Sequence, residues 1–124
     1  MAELSDIVVD SLHPADLARF WAAALDGYEI RAYDQAEIER LAALGFTPDT
    51  DPTVALDGPG PTLFFQVTTV AKRARNRVHL DVRTRNRAAE VARLEALGAR
   101  IRDEHGYHTV MLDPEGNEFC VRDP

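Results

Sequence analysis

The same order of predicted elements occurs twice in this chain, and a chain made of two copies of one small unit has few ways to fold. In the first half, Ile7 to Val9 reads as a short strand. His13-Pro14-Ala15-Asp16 then opens a helix, with Pro14 suited to its first turn. Leu17, Phe20, Trp21, Ala24 and Leu25 follow the i, i+3, i+4, i+7, i+8 spacing of a buried helical stripe, and Asp26-Gly27 ends it. Residues 28–33 alternate as a strand. Residues 34–44 read as a helix with Ile38, Leu41 and Leu44 apolar and Gly45 as its stop. A turn-rich loop, 47–52, leads to strands at 53–56 and 62–67, joined by Asp57-Gly58-Pro59-Gly60-Pro61.

The second half predicts a strand over 78–83 and a helix over 86–97, with a stripe of Val91, Leu94 and Leu97 and a stop at Gly98. Strands at 99–103, 109–112 and 118–122 complete it. Each half is thus β-α-β-β-β, with one extra helix in the first. Leu17-Ala18-Arg19-Phe20 echoes Val91-Ala92-Arg93-Leu94 at an offset of 74, and the preceding strands match at 73, in support of an internal duplication. The expected fold class is α+β: two βαβββ modules, about 4–70 and 76–122, within a single domain spanning 1–124. Their helices bury against one another, and the concave sheet faces line a central cleft.

Other properties narrow the class. A chain of 124 residues can build a core unaided. Its single cysteine excludes an internal disulfide and any cysteine-cluster metal site. No apolar run approaches the roughly 18–20 residues of a membrane span, and the N-terminus lacks the basic and apolar regions of a signal peptide, so the expected location is cytoplasmic, with no membrane partner. The net charge of −7 opposes bulk attraction to phosphate backbones. Seven of the 14 Lys and Arg residues nevertheless cluster: Lys72, Arg73, Arg75, Arg77, Arg83, Arg85 and Arg87. No aromatic residues interleave for base stacking, so the expectation is a solvated linker and helix entry without nucleic acid, leaving one or two arginines as candidate holders of an anionic ligand.

The last hairpin is the strongest local signal. Asp113-Pro114-Glu115-Gly116 is a turn between apolar runs, with Pro114 presetting φ and Gly116 free to take φ > 0. Beyond it, Phe119 and Val121 share one face while Glu118 and Cys120 share the other, which is either solvated or the wall of a polar cavity.

Three stretches together carry a resemblance. Val78-His79-Leu80-Asp81-Val82, the helix end Leu94-Glu95-Ala96-Leu97-Gly98-Ala99, and the hairpin 112–121 resemble the vicinal oxygen chelate superfamily, specifically its glyoxalase-like, bleomycin-resistance-like branch. The resemblance spans the chain, with Phe20-Trp21 where the first helix of that family usually carries Phe-Tyr. It implies the paired-module fold. It leaves chemistry open, because one fold hosts isomerases, dioxygenases, thiol transferases and drug-binding proteins. The resemblance also implies a homodimer.

Metal enzymes of this family chelate two substrate oxygens with a divalent ion held by His, Glu or Gln. Carried over, the four positions fall at Asp6, Gln66, His79 and Cys120. By period two, Asp6 shares a face with Val8 and Asp10, His79 with Asp81 and Arg83, and Gln66 with Phe64. A thiol mismatches magnesium or manganese, though zinc or iron could accept it, and Cys120 replaces the carboxylate that would move a proton. Two readings follow. In the first, a metal-free protein binds a small molecule, with Asp6, Asp10, Gln66, His79, Asp81, Arg83 and Cys120 lining the site and the acidic balance suiting a cationic guest. In the second, an enzyme of the lyase, isomerase or dioxygenase type holds Zn or Fe on His79 and Gln66, with Asp6 or Cys120 assisting. In the first reading His79 helps to orient the guest; a metal-free enzyme with His79 as the candidate acid or base is also open. His105 and His108 are expected at an exposed hairpin tip, His13 is structural, and Trp21 belongs to the core.

Overall fold

The computed structural model describes residues 1–124, which form two compact units, 1–71 and 72–124. In the first, β1 (Asp6–Ser11) leads to α1 (Pro14–Ala24) and the two-residue β2 (Glu29–Ile30). Next come α2 (Gln35–Ala43), a 3₁₀ turn at Pro48–Thr50, β3 (Thr53–Asp57) and β4 (Thr62–Val67). The second unit contains β5 (Leu80–Arg83), α3 (Arg87–Leu97), β6 (Arg100–Glu104), β7 (His108–Leu112) and β8 (Glu118–Arg122).

Both units form a four-stranded mixed sheet with the same internal order: β1-β4-β3-β2 in one and β5-β8-β7-β6 in the other. In each, the first strand lies parallel to the last and the remaining pairs are antiparallel. The βαβββ repeat read from the sequence is therefore the repeat of the fold. A parallel pair of first and last strands needs a crossover, and the single long helix of each unit supplies it.

One face of each sheet is sealed. Leu17, Ala18, Phe20 and Trp21 of α1 are buried together with Val54, Leu56, Leu63 and Phe65 of the first sheet. Phe20 and Trp21 meet edge to face, with centroids 5.2 Å apart. In the second unit, Val91 and Leu94 of α3 are buried, as are Met111, Phe119 and Val121. Fully burying side chains of this size stabilises by about 1.5–3 kcal/mol each, so α1 anchors the first unit. The helix stops behave as their glycines dictate: Gly98 takes φ 115° and caps α3, and Asn86 accepts the Ala89 amide at 3.1 Å at its start.

Several elements differ from expectation. The strand expected over 28–33 narrows to Glu29–Ile30. Arg31 still donates its amide to Ala55 O, after which the chain turns away, and the Tyr33 hydroxyl donates to Asp51 at 2.7 Å. Burial and that carboxylate raise the Tyr33 phenol well above its ordinary range. In α2 only Leu41 is buried, while Ile38 and Leu44 stay exposed, so the apolar stripe is narrower than its spacing predicted. The loop at 47–52 contains an unforeseen 3₁₀ turn, on which Thr47 and Thr50 form a reciprocal capping box. The strand expected at 78–83 begins at Leu80, leaving His79 just outside it.

The Tyr28 ring lies flat against the 57–61 loop and its hydroxyl donates to Pro61 O at 3.0 Å. A Cβ on Gly58 would sit 2.5 Å from that ring, which is why glycine stands there.

Candidate functional site

In both sheets the face opposite the helix carries the polar residues, and register decides which of them meet. In the first unit, Asp6 pairs with Thr62, Val8 with Phe64, and Asp10 with Gln66 along β1 and β4. Ala55 and Thr53 of β3 continue the second and third rows. Cross-strand partners project from the same face. An apolar row of Val8, Phe64 and Ala55 thus runs between two polar rows. Val8, on the edge strand β1, is 55% exposed.

Arg31 closes one side of this face. It grips Asp57 with two hydrogen bonds, at 2.8 and 2.9 Å, and its guanidinium lies 5.6 Å from the Phe64 ring centroid. The fork–fork contact holds the Asp57 carboxyl below its usual range. The Phe64 ring accordingly already receives one cation on this sheet.

In the second unit, Asp81 pairs with Cys120 and Val110, and Arg83 with Arg122 and His108. Burial raises the Cys120 thiol above its ordinary range, and Asp81 adds to this through its charge and through a hydrogen bond to the thiol. A raised pKa favours the thiol over the thiolate and makes Cys120 a poor nucleophile. His79 is half-buried, with one ring nitrogen 3.2 Å from Asn76 O, so that nitrogen carries the proton. A pocket of about 360 Å³ opens on this unit, lined by Asp81, Tyr107, His108, Cys120, Arg122, Asp123 and Pro124.

Glu118 is the most strongly perturbed carboxylate of the unit. It is buried, and accepts hydrogen bonds from Lys72 Nζ at 2.9 Å and from the Asn76 amide at 2.9 Å, with Arg102 at 3.4 Å. Burial alone would raise its pKa, but those donors prevail and hold it at about 2. Part of the cationic cluster is thereby explained: Lys72 neutralises Glu118, and Arg87 donates to the carbonyls of His105 and Gly106.

The terminal hairpin forms as its sequence directs. Gly116 takes φ 86°, and the buried Asp113 side chain accepts from the amides of Glu115 and Asn117 at 2.9 and 3.0 Å. This aims Glu118 and Cys120 to one face of β8, while Phe119 and Val121 enter the core.

The sequence-predicted residues divide between the units. Asp6, Asp10 and Gln66 lie on the first sheet, with Asp10 and Gln66 side by side. Asp81, Arg83 and Cys120 lie on the second, with Asp81 beside Cys120 and Arg83 beside Arg122, and His79 immediately before it. The register also shows that Phe64 occupies in the first sheet the place Cys120 holds in the second. Gln66 corresponds to Arg122. His108, expected at a hairpin tip, begins β7 and lines the pocket; alternation with the buried Thr109 and Met111 was the signal. Sequence reasoning also missed Arg122 and the burial of Glu118.

Comparison with known proteins agrees with the two sheets. The model of the glyoxalase-like domain matches residues 6–122. The chain belongs to this family, within the vicinal oxygen chelate superfamily. Similar solved structures include a glyoxalase/bleomycin resistance protein/dioxygenase family enzyme from Burkholderia phytofirmans PsJN, at 16% identity, 98% coverage of both chains and a TM-score of 0.69. A genomically encoded fosfomycin resistance protein, FosX, from Listeria monocytogenes has a TM-score of 0.69 at 12% identity, covering 100% of this chain and 92% of its own. A putative glyoxalase from Bacillus halodurans scores 0.68 at 15% identity, covering 100% and 97%. At such identities the likeness is one of fold. No curated protein matches by sequence.

The donor set does not suit the divalent metal that the superfamily implies. No three His, Cys, Asp or Glu side chains come together as a possible metal cluster. Cys120 offers a thiol in place of a carboxylate, and the position equivalent to it is the phenyl ring of Phe64. No helix of the chain is long and apolar enough to cross a membrane.

Proposed function

We propose that this glyoxalase-like protein binds a small organic molecule with a cationic group, without a metal ion, and that the open face of the first sheet receives that group. The observation that carries this reading is the row of Val8, Phe64 and Ala55, set between Asp6 with Thr62 and Asp10 with Gln66. Apolar surface flanked by carboxylates that form no salt bridge suits a guest with a hydrophobic body and a positive charge. An aromatic face adds about 0.5–2 kcal/mol for such a cation. The charge distribution points the same way: residues 1–71 contain three Lys and Arg against twelve Asp and Glu. The E126Q mutant of FosX was crystallised with Mn(II) and 1S,2S-dihydroxypropylphosphonic acid, so a protein of this fold does take small molecules. The homodimer implied by the family is part of the same proposal and is tested by light scattering.

The test is a thermal-shift and NMR titration with benzyltrimethylammonium as probe. The expected result is stabilisation with amide shifts centred on β1 and β4, weakened in Asp10→Asn and Phe64→Ala. Stabilisation by no cationic aromatic probe, or shifts unaffected by both substitutions, refutes the reading. Elemental analysis of protein purified without chelators tests the enzymatic alternative. Stoichiometric zinc or iron that is lost in His79→Ala would favour the metal enzyme instead.

A further inference from the structure

The second unit carries a feature that the cationic-guest reading does not use. Arg83, Arg122 and His108 are direct cross-strand partners on β5, β8 and β7, so their side chains leave one face of the sheet side by side. We propose that this row is a binding site for a small oxyanion, a carboxylate or phosphate group on a metabolite.

Like charges directly opposite each other on neighbouring strands are destabilising, and here two guanidiniums stand in that relation. Neither belongs to an ion pair or a side-chain hydrogen bond. Two carboxylates line the same pocket as Arg122. Asp81, in the adjacent row, forms no ion pair with either arginine, and Asp123 faces Arg87 at 3.7 Å. Two exposed guanidinium forks therefore stand without a protein partner at one end of the sheet. An oxyanion between them removes the repulsion and accepts paired N–H donors, a geometry that guanidinium provides and ammonium does not.

His108 completes the row. Its ring is stacked on that of His105, with centroids 4.6 Å apart and planes 21° apart. Arg122 and His108 both line the pocket of about 360 Å³, so the anion has adjacent space for the rest of the molecule that carries it. The unit as a whole is the basic half of the chain, with eleven Lys and Arg against nine Asp and Glu in 72–124.

The experiment is a ¹H–¹⁵N titration of the full chain with inorganic phosphate and, separately, with malonate. Chloride holds ionic strength constant at about 0.15 M. Saturable shifts on β5, β7 and β8 are expected, with affinity reduced about tenfold in Arg122→Gln and in Arg83→Gln. Saturation by phosphate alone assigns a phosphate group, and by malonate alone a carboxylate. Because each substitution relieves repulsion, both variants are expected to melt no lower than the wild type, so lost binding is not lost folding. Shifts that chloride reproduces, that never saturate, or that persist unchanged in both variants overturn the proposal. Binding of benzyltrimethylammonium to the first sheet is read separately, on β1 and β4, so either proposal can fail alone.

Discussion

Replacing Glu118 by Gln tests whether a buried carboxylate ties the irregular segment before β5 to the second sheet. The substitution keeps an acceptor for the Asn76 amide but removes the charge that faces Lys72 and Arg102. Its magnitude follows from the carboxyl, held at about 2 against an ordinary 4.5. At about 1.4 kcal/mol per pKa unit, that difference corresponds to roughly 3 kcal/mol. Charged hydrogen bonds of about 1.5–3 kcal/mol each give the same order, and the partial exposure of Lys72 and Arg102 keeps the effect below the 3–5 kcal/mol of a fully buried pair. The folded-state pKa is depressed, so this stabilisation is complete above about pH 4.5 and is lost as the pH falls towards 2. Urea unfolding of wild type and Glu118→Gln should therefore differ by about 2–3 kcal/mol at pH 7 and converge towards pH 2. A difference below about 0.5 kcal/mol at pH 7, or parallel curves across the acid range, would refute the reasoning.

Two further outcomes are expected. Gly58→Ala should cost about 1–3 kcal/mol, because its Cβ would overlap the Tyr28 ring, whereas Gly106→Ala, with nothing within 4 Å, should leave the thermal midpoint nearly unchanged. Cys120 should alkylate slowly with iodoacetamide at neutral pH, and Asp81→Asn should speed the reaction by removing the charge and acceptor that help hold the thiol protonated; an unchanged rate would contradict the assigned contact.

Much of the fold was legible because its signals are local. Alternation placed Phe119 and Val121 inward, Pro114 and Gly116 wrote the last turn, and the 3.6-residue stripe of α1 chose Leu17, Phe20 and Trp21 for the core. The candidate residues were legible as faces but not as neighbours. Period two says that Gln66 and Phe64 point the same way, yet only the pairing of β1 with β4 sets Val8 against Phe64 and Asp10 against Gln66. His108 was misplaced because a strand end and a hairpin tip have the same composition in the segment 104–108, and the hydrogen bonds of β7 to β8 decide between them.

The sequence alone determined the repeated βαβββ order, the buried face of each sheet and the family, since each rests on periodicity, turn chemistry or motif within a few residues. Tertiary structure alone decided that Glu118 is a buried anchor for Lys72 and the Asn76 amide, that Asp81 stands beside Cys120, and that Arg83, Arg122 and His108 stand in one row. These contacts join positions up to 46 residues apart. Strand register and desolvation, which no local pattern encodes, bring them together and set the charge of each group.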